Sequence, residues 1–261
     1  MKTITAALAA GILFLGCGEG TWRSTPLPPD TSTRTVEAPL ECASLPGTDV
    51  ELAATPRLDA ESEWLAIAVD EAFVATPLTY ERIRGDLAAI RERLPEAERI
   101  HVQTRDSRLS LEVDEATHAA IASGTYHAWD CLHARYGWQE PTLDAFETTH
   151  HYYASGRLLA RVDPKAVAAL YNELPGVSMA SFGSPTDGSR LCATRDPDER
   201  MHYVFVEGLG DCESGCMGRT YTHVTTAPDG LIELAGVTST SDPTVPAWVT
   251  QYADRLSGRC L

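Results

Sequence analysis

Apolar positions along the chain follow three kinds of order, and each predicts a different element. From Ile4 to Leu15 they run almost without interruption, and from Gly18 to about Asp59 they fall into no period at all. The continuous run "EWLAIAVDEAFVA" (63–75) then reads as one or two buried strands. In "TPLTYERIRGDLAAIRERLPEAE" (76–98), Tyr80, Ile83, Leu87, Ile90 and Leu94 recur at helical spacing behind a Thr-Pro start, which predicts an amphipathic helix. "RIHVQT" and "RLSLEV" alternate as short strands about a polar turn, while "DEATHAAIASG" and "YHAWDCLHARYGW" read as helices, the first capped by Asp114 and stopped by Gly124. "FETTHHYYASGRLLARV" (146–162) alternates like a hairpin turning near Ser155-Gly156, and "DPKAVAALYNEL" predicts a helix with Asp163 as N-cap and Pro164 first.

Beyond residue 200 the order changes to period two. "RMHYVFVEG", "RTYTHVTT" and "LIELAGVTS" are strands, the last two joined by the turn "APDG". "PAWVTQYADRL" closes the chain as a helix with Trp248, Val249, Tyr252 and Leu256 on one face. The sum is an α+β protein with a mixed βα first part and a β-rich, disulfide-bonded C-terminal part. "RLSLEVDEATHAAI" and "RLLARVDPKAVAAL" repeat one strand, Val-Asp and helix order; shared strand-to-helix chemistry and duplication explain that echo equally well.

The opening apolar run, behind a single Lys2, is too short for a permanent membrane span and reads as a signal peptide over residues 1–16. Its "FLGC" end resembles a bacterial lipobox, which implies that Cys17 is lipidated and becomes the mature N-terminus. Gly18 follows, where retention in the inner membrane would want Asp, so the expected destination is the outer membrane of a Gram-negative cell; the alternative is a secreted soluble protein. Residues 17–59, as in "STPLPPDTSTRT", offer too little burial to offset chain entropy and read as a Pro/Thr/Ser-rich tether, without order to about Pro39. The globular body is expected over 60–261, with a sub-boundary near 183–200. With 21 Lys and Arg against 37 Asp and Glu, the net charge of −16 makes nucleic acid a poor partner and leaves the lipid anchor as the route to the membrane.

Besides Cys17 the chain holds six cysteines: Cys42, Cys131, Cys192, Cys212, Cys216 and Cys260. In an exported protein this even number reads as disulfides. Sequence separation suggests Cys212 with Cys216, Cys131 with Cys192, and Cys42 with Cys260. In "GLGDCESGCMGR" (208–219) the C-x-x-x-C spacing with Gly215 suits a stapled turn between two strands. Pairing with other cysteines, a metal site drawing on His202 and His223, and a redox dithiol are its alternatives. Such a turn would present Glu213, Ser214, Met217 and Arg219 at the surface, as an interaction site or as the outside of a staple.

These residues carry a resemblance. "GLGDCESGC", the aromatic strand "RTYTHV", "PDG" and the upstream "VAALYNELPGVSMAS" resemble uncharacterised bacterial exported proteins and lipoproteins with a G-D-C-x-x-G-C core, over about 143–236. That likeness implies a shared fold and no particular chemistry. "RLLARVDPKAVAALYNELPGVSMAS" (157–181) is also similar to the propeptide and inhibitor modules of subtilisin-type proteases, which implies half of a ferredoxin-like sheet and an inhibitory role.

Motifs for catalysis are absent from the sequence: it has no G-x-S-x-G, no H-E-x-x-H, no P-loop and no dinucleotide fingerprint. His150 and His151 should lie on opposite faces of a strand, and His127 and His133 six apart on a helix, so neither pair is placed for shared ligation. Trp129, Trp138, Tyr152, Tyr153 and Tyr171 are expected in the core, or in a carbohydrate or peptide groove if exposed. The leading expectation is a non-catalytic envelope module for an unknown protein or envelope ligand, without catalytic residues, cofactor or metal. Peptidase inhibition is the second reading, and a hydrolase with an unconventional site the third.

Overall fold

In the computed structural model the described residues are 24–26, 42, 44–101, 108–146, 150–182, 189–210, 216–242, 244 and 246–249. Two antiparallel sheets organise them. The first has five strands in the order β1 (Ser24–Pro26), β3 (Trp138–Phe146), β4 (His151–Leu158), β2 (Arg108–Val113) and β5 (Val177–Phe182). The second is a meander of β6 (Arg190–Arg195), β7 (Met201–Leu209), β8 (Gly218–Thr226) and β9 (Ile232–Ser239). Six α-helices accompany them: α1 (Asp49–Ala54), α2 (Ala60–Asp70), α3 (Pro77–Arg93), α4 (Glu115–Ala122), α5 (Asp130–Tyr136) and α6 (Pro164–Asn172). The α+β class expected from the hydrophobic pattern is the one observed.

From β2 to β5 the chain runs strand, helices, strand, strand, helix, strand, with β3-β4-β2-β5 as neighbours. This is the split βαββαβ arrangement of ferredoxin-like sheets. Side chains alternate along β2, so Leu109, Leu111 and Val113 are buried and Arg108, Ser110 and Glu112 lie on the other face. The buried set packs with Ile121, Leu132, Tyr136, Val167 and Tyr171 from α4, α5 and α6. Asp114 and Asp163 cap α4 and α6 by accepting from the amides of Thr117 and Lys165, as the sequence predicts. The echo does not extend to the strands: Arg108–Val113 is the whole of β2, whereas β4 ends at Leu158 and residues 159–163 run outside any strand into α6, although Arg108 pairs with Arg157 in register.

The second sheet takes its cover from the start of the chain. Trp64, Leu65 and Ile67 of α2 and Tyr80, Ile83, Leu87 and Ile90 of α3 pack on Leu191, Ala193, Met201, Tyr203, Phe205 and Val224. Asp86 anchors α3 there: it accepts from Arg82 Nε at 2.9 Å, Tyr203 Oη at 2.9 Å and Thr226 Oγ1 at 2.5 Å. Arg82 donates in turn to the Ala227 carbonyl at 2.5 Å.

Four expectations need correction. "EWLAIAVDEAFVA" supplies most of helix α2 and not strands, because the helix packs on both α3 and β6 and is buried on nearly every side from Glu61 to Ile67. A helix buried all round loses the polar stripe that reveals its period. The turn of the β3–β4 hairpin is not at Ser155-Gly156: Phe146 pairs with His151, so the chain reverses between them and Gly156 sits mid-strand. There it seats Trp138, since a Cβ on Gly156 would lie 2.2 Å from Trp138 Cε2. Part of the tether is ordered, Ser24–Pro26 pairing with β3 at the sheet edge where a proline removes no ladder bond. The ordered body also begins before residue 60, with α1 closed by a reciprocal Thr48–Glu51 capping box.

The disulfide pairing differs as well. Cys42 is bonded to Cys131, with Cα atoms 5.3 Å apart, so neither Cys42 with Cys260 nor Cys131 with Cys192 forms. Fifteen pairings fit the composition, and α5 brings Cys131 to the residue that ends the Pro/Thr-rich stretch. Cys192 and Cys216 each take part in a disulfide as well. Cys17, Cys212 and Cys260 lie outside the described residues, as do 102–104 of the expected "RIHVQT" strand and Tyr252 and Leu256 of the last helix.

The halves meet at a buried ion pair. Glu63 of α2, fully buried, accepts from Arg161, which follows β4 and also donates to the Leu58 carbonyl at 3.0 Å. Burial outweighs that cation and raises the Glu63 carboxyl to about 7. Beside it the Asp163 amide donates to the Phe73 carbonyl at 2.9 Å, and the Phe73 ring meets Tyr136 at 5.6 Å.

Candidate functional site

Strand β7, inside the second sheet, is buried on both faces. Along β7 every residue from Met201 to Val206 is buried, and Cys192, Val204 and Val206 form a small cluster on the face away from α2 and α3, with Tyr221 and Trp248 against it. Two histidines occupy this apolar face, His202 on β7 at 8% exposure and His223 on β8 at 5%. A polar residue buried in a strand needs a partner. Here the partners form a chain.

The turn after β6 supplies Asp196, whose Oδ2 lies 2.8 Å from His202 Nε2. An ionised carboxylate only accepts, so that nitrogen carries the hydrogen and Nδ1 of a neutral His202 is an acceptor. His223 Nε2 lies 3.1 Å from that Nδ1 and donates to it. Polarity therefore runs one way, from His223 through His202 to Asp196. Burial, and next the neighbouring His202, pushes His223 down to about 4, against an upward pull from Asp196. Around the chain stand Thr225, which accepts from Arg200 at 3.4 Å, and Glu233 of β9, 3.2 Å from Arg200. Trp248 closes the face, its ring 4.9 Å from His223 and its Nε1 3.1 Å from where a Cβ on Gly236 would be. The arrangement can carry a proton between a buried imidazole and a carboxylate near the surface.

The first half holds a contrasting histidine. His133 stacks on Trp138 with ring centres 4.3 Å apart and planes 9° from parallel, and it also meets Trp129 at 4.3 Å and Tyr171 at 5.9 Å. Burial alone pushes its imidazole down to about 3. Trp129, Trp138 and Tyr171 thus pack together, and Tyr152 meets His118 at 5.2 Å. Tyr153 faces the other side of the sheet, with Phe146 at 5.8 Å and His151 at 6.3 Å. His151 Nδ1 lies 2.7 Å from Glu112, His150 sits in the turn at φ 53°, and His127 pairs with Asp130 at the surface.

The stretch around "GDCESGC" does join two strands, since Leu209 pairs with Gly218. Met217 is 85% exposed there and Arg219 half-buried, its amide donating to Thr240 Oγ1; Glu213 and Ser214 lie outside the described residues. His202 and His223, weighed from sequence only as metal partners for the cysteines, are brought together with each other. Asp196 was not singled out. The signal for all three is a histidine inside each of two strands rich in β-branched and aromatic residues, next to the acidic turn "DPDER". Among the described residues no group of three or more His, Cys, Asp and Glu side chains is arranged to hold a metal ion. The chain matches no protein-family model, no curated protein and no solved structure.

Proposed function

We propose that this protein is an exported lipoprotein of the bacterial envelope, anchored through Cys17, whose globular body is a non-catalytic binding module. The observation that carries the reading is the Cys42–Cys131 disulfide. Such bonds belong to oxidising compartments, and this one fastens the end of the Pro/Thr-rich stretch to α5. A lipid-held chain would thereby deliver its load to a covalent staple and not to packing alone. The leader and lipobox-like "FLGC" supply the anchor, and the acidic surface suits a protein or glycan partner over nucleic acid. Binding surfaces for such a partner are the β7–β8 connection with exposed Met217 and the face of the first sheet where Met179 stands beside Glu112.

Mass spectrometry of membrane-purified protein tests the anchor. Diacylglycerol on Cys17, and transfer of the protein to the soluble fraction in Cys17→Ser, is the expected result. An unmodified Cys17 in protein that is soluble from the outset would leave the secreted alternative. A second reading, peptidase inhibition, is favoured by one observation: residues 157–181 build part of β4, α6 and β5, with β5 at the sheet edge and Met179 48% exposed. Titration of a subtilisin-type protease decides it. Stoichiometric loss of activity supports inhibition, and full activity at tenfold excess of this protein removes it.

A further inference from the structure

The His202–His223 contact has a property that follows from hydrogen counting. Two imidazoles joined N–H···N share one hydrogen at the contact. A first added proton leaves the bond intact, because a pair with one extra hydrogen still keeps one acceptor nitrogen at the contact. A second added proton puts N–H against N–H at 3.1 Å, with two cations side by side. The contact cannot survive that. Arg200, beside Thr225 and Glu233, adds a further cation near the pair. His223 lies directly beneath Trp248, in the last described turn of the chain.

We propose that Asp196, His202 and His223 form an acid-released latch on residues 246–249: a second proton parts the imidazoles and lifts Trp248 from the second sheet. Thr194 and Cys192 of β6, Asp196 of the following turn, Arg200, Thr225 and Tyr221 of β8, Glu233 of β9 and Trp248 are the groups facing or flanking the pair. Only Asp196 and Glu233 among them are anionic, and Arg200 engages Glu233. A released His223 returns to the ordinary range near 6.5, whereas in the closed pair it resists protonation down to about 4. Between those limits the open form binds one proton more than the closed one, at His223. The opening constant therefore rises about tenfold per pH unit, by the linkage between proton binding and conformation.

Hydrogen exchange of the Val249 amide, which donates to the Pro246 carbonyl at 2.9 Å, corrected for the intrinsic pH dependence of exchange, reads that constant between pH 6 and 4.5. The expected slope is close to one proton in the native protein and near zero in His223→Gln, whose amide can still donate to His202. A native slope near zero, an unchanged slope in His223→Gln, or loss of protection in β2 and β4 in step with Val249 would each overturn the latch. Should His223→Gln fail to fold, imidazole nitrogen shifts of the native protein decide: joint titration of His202 and His223 with loss of the Trp248 ring-current shift supports the latch, and independent titration with that shift unchanged overturns it.

Discussion

The two sheets bury histidine in opposite ways. In the first, His133 is packed among Trp129, Trp138 and Tyr171 and kept neutral by burial alone. In the second, His202 and His223 are hydrogen-bonded to one another and to Asp196. The first sheet shows one face to helices and alternates along its strands, whereas β7 is buried on both faces. The difference teaches where polar chemistry is tolerable. A one-faced sheet turns its polar groups outward, and a two-faced sheet must network them.

The largest blow to that comparison would come from removing the staple that the first half shares with the Pro/Thr-rich stretch. The Cys42→Ser, Cys131→Ser double variant releases a constraint spanning 89 residues. Chain entropy sets the loss at about 4 kcal/mol, measurable in urea unfolding. Amides of β2 and β4 should lose protection before those of β7 and β8; the reverse order would show that the staple serves the second sheet. Next in size is Gly156→Val, which forces Trp138 from its seat and with it the stack on His133. A loss of about 3 kcal/mol is expected, with a changed near-ultraviolet dichroism signal. An unperturbed spectrum would mean that the box is not the rigid unit its ring distances describe.

Proton linkage sharpens the contrast. Glu63 rises in the fold from 4.5 to about 7, so its contribution is fully present below 4.5 and is lost as pH rises through about 7. Relative to Glu63→Gln, the native protein should therefore lose on the order of 2–3 kcal/mol between pH 4.5 and 8. A flat difference across that window would show that Arg161 fully compensates the buried charge. His133 works in the other direction: depressed from 6.5 to about 3, it contributes stability above 6.5 that is lost as pH falls toward 3. His133→Phe should gain about 1 kcal/mol on the native protein at pH 5.5 relative to pH 7.5. Equal pH profiles would place the ring in contact with water. The smallest effect belongs to the outer strand of the second sheet, where Leu234 and Val237 are more than half exposed. Val237→Lys should change stability by less than about 0.5 kcal/mol, and a drop in concentration-dependent self-association by light scattering would mark β9 as a sticky edge.

Much of the fold was legible from local chemistry. Asp114 and Asp163 announce α4 and α6 because a short acidic side chain satisfies free amides at a helix start. "APDG" announces the β8–β9 turn, and the 3.6-residue spacing of Tyr80, Ile83, Leu87 and Ile90 announces α3. The site was less legible: the sequence shows a histidine in each of two strands, and a buried one must find a partner. Which partner it finds is not written locally.

The sequence by itself determined the class of fold, the starts of α3, α4 and α6, the strands beyond residue 200 and an even set of cysteines beyond Cys17. These follow from side-chain period and capping, which act over a few residues. Only the tertiary structure decided that α2 is a helix, that helices near the start of the chain cover a sheet near its end, that Cys42 bonds Cys131, and that His202 meets His223. In each case the deciding contact joins residues far apart in the chain. Arg82 reaching the Ala227 carbonyl and Glu63 reaching Arg161 exist only once register and packing have brought distant segments together. Local pattern limits the choices for each segment, and mutual burial selects among them.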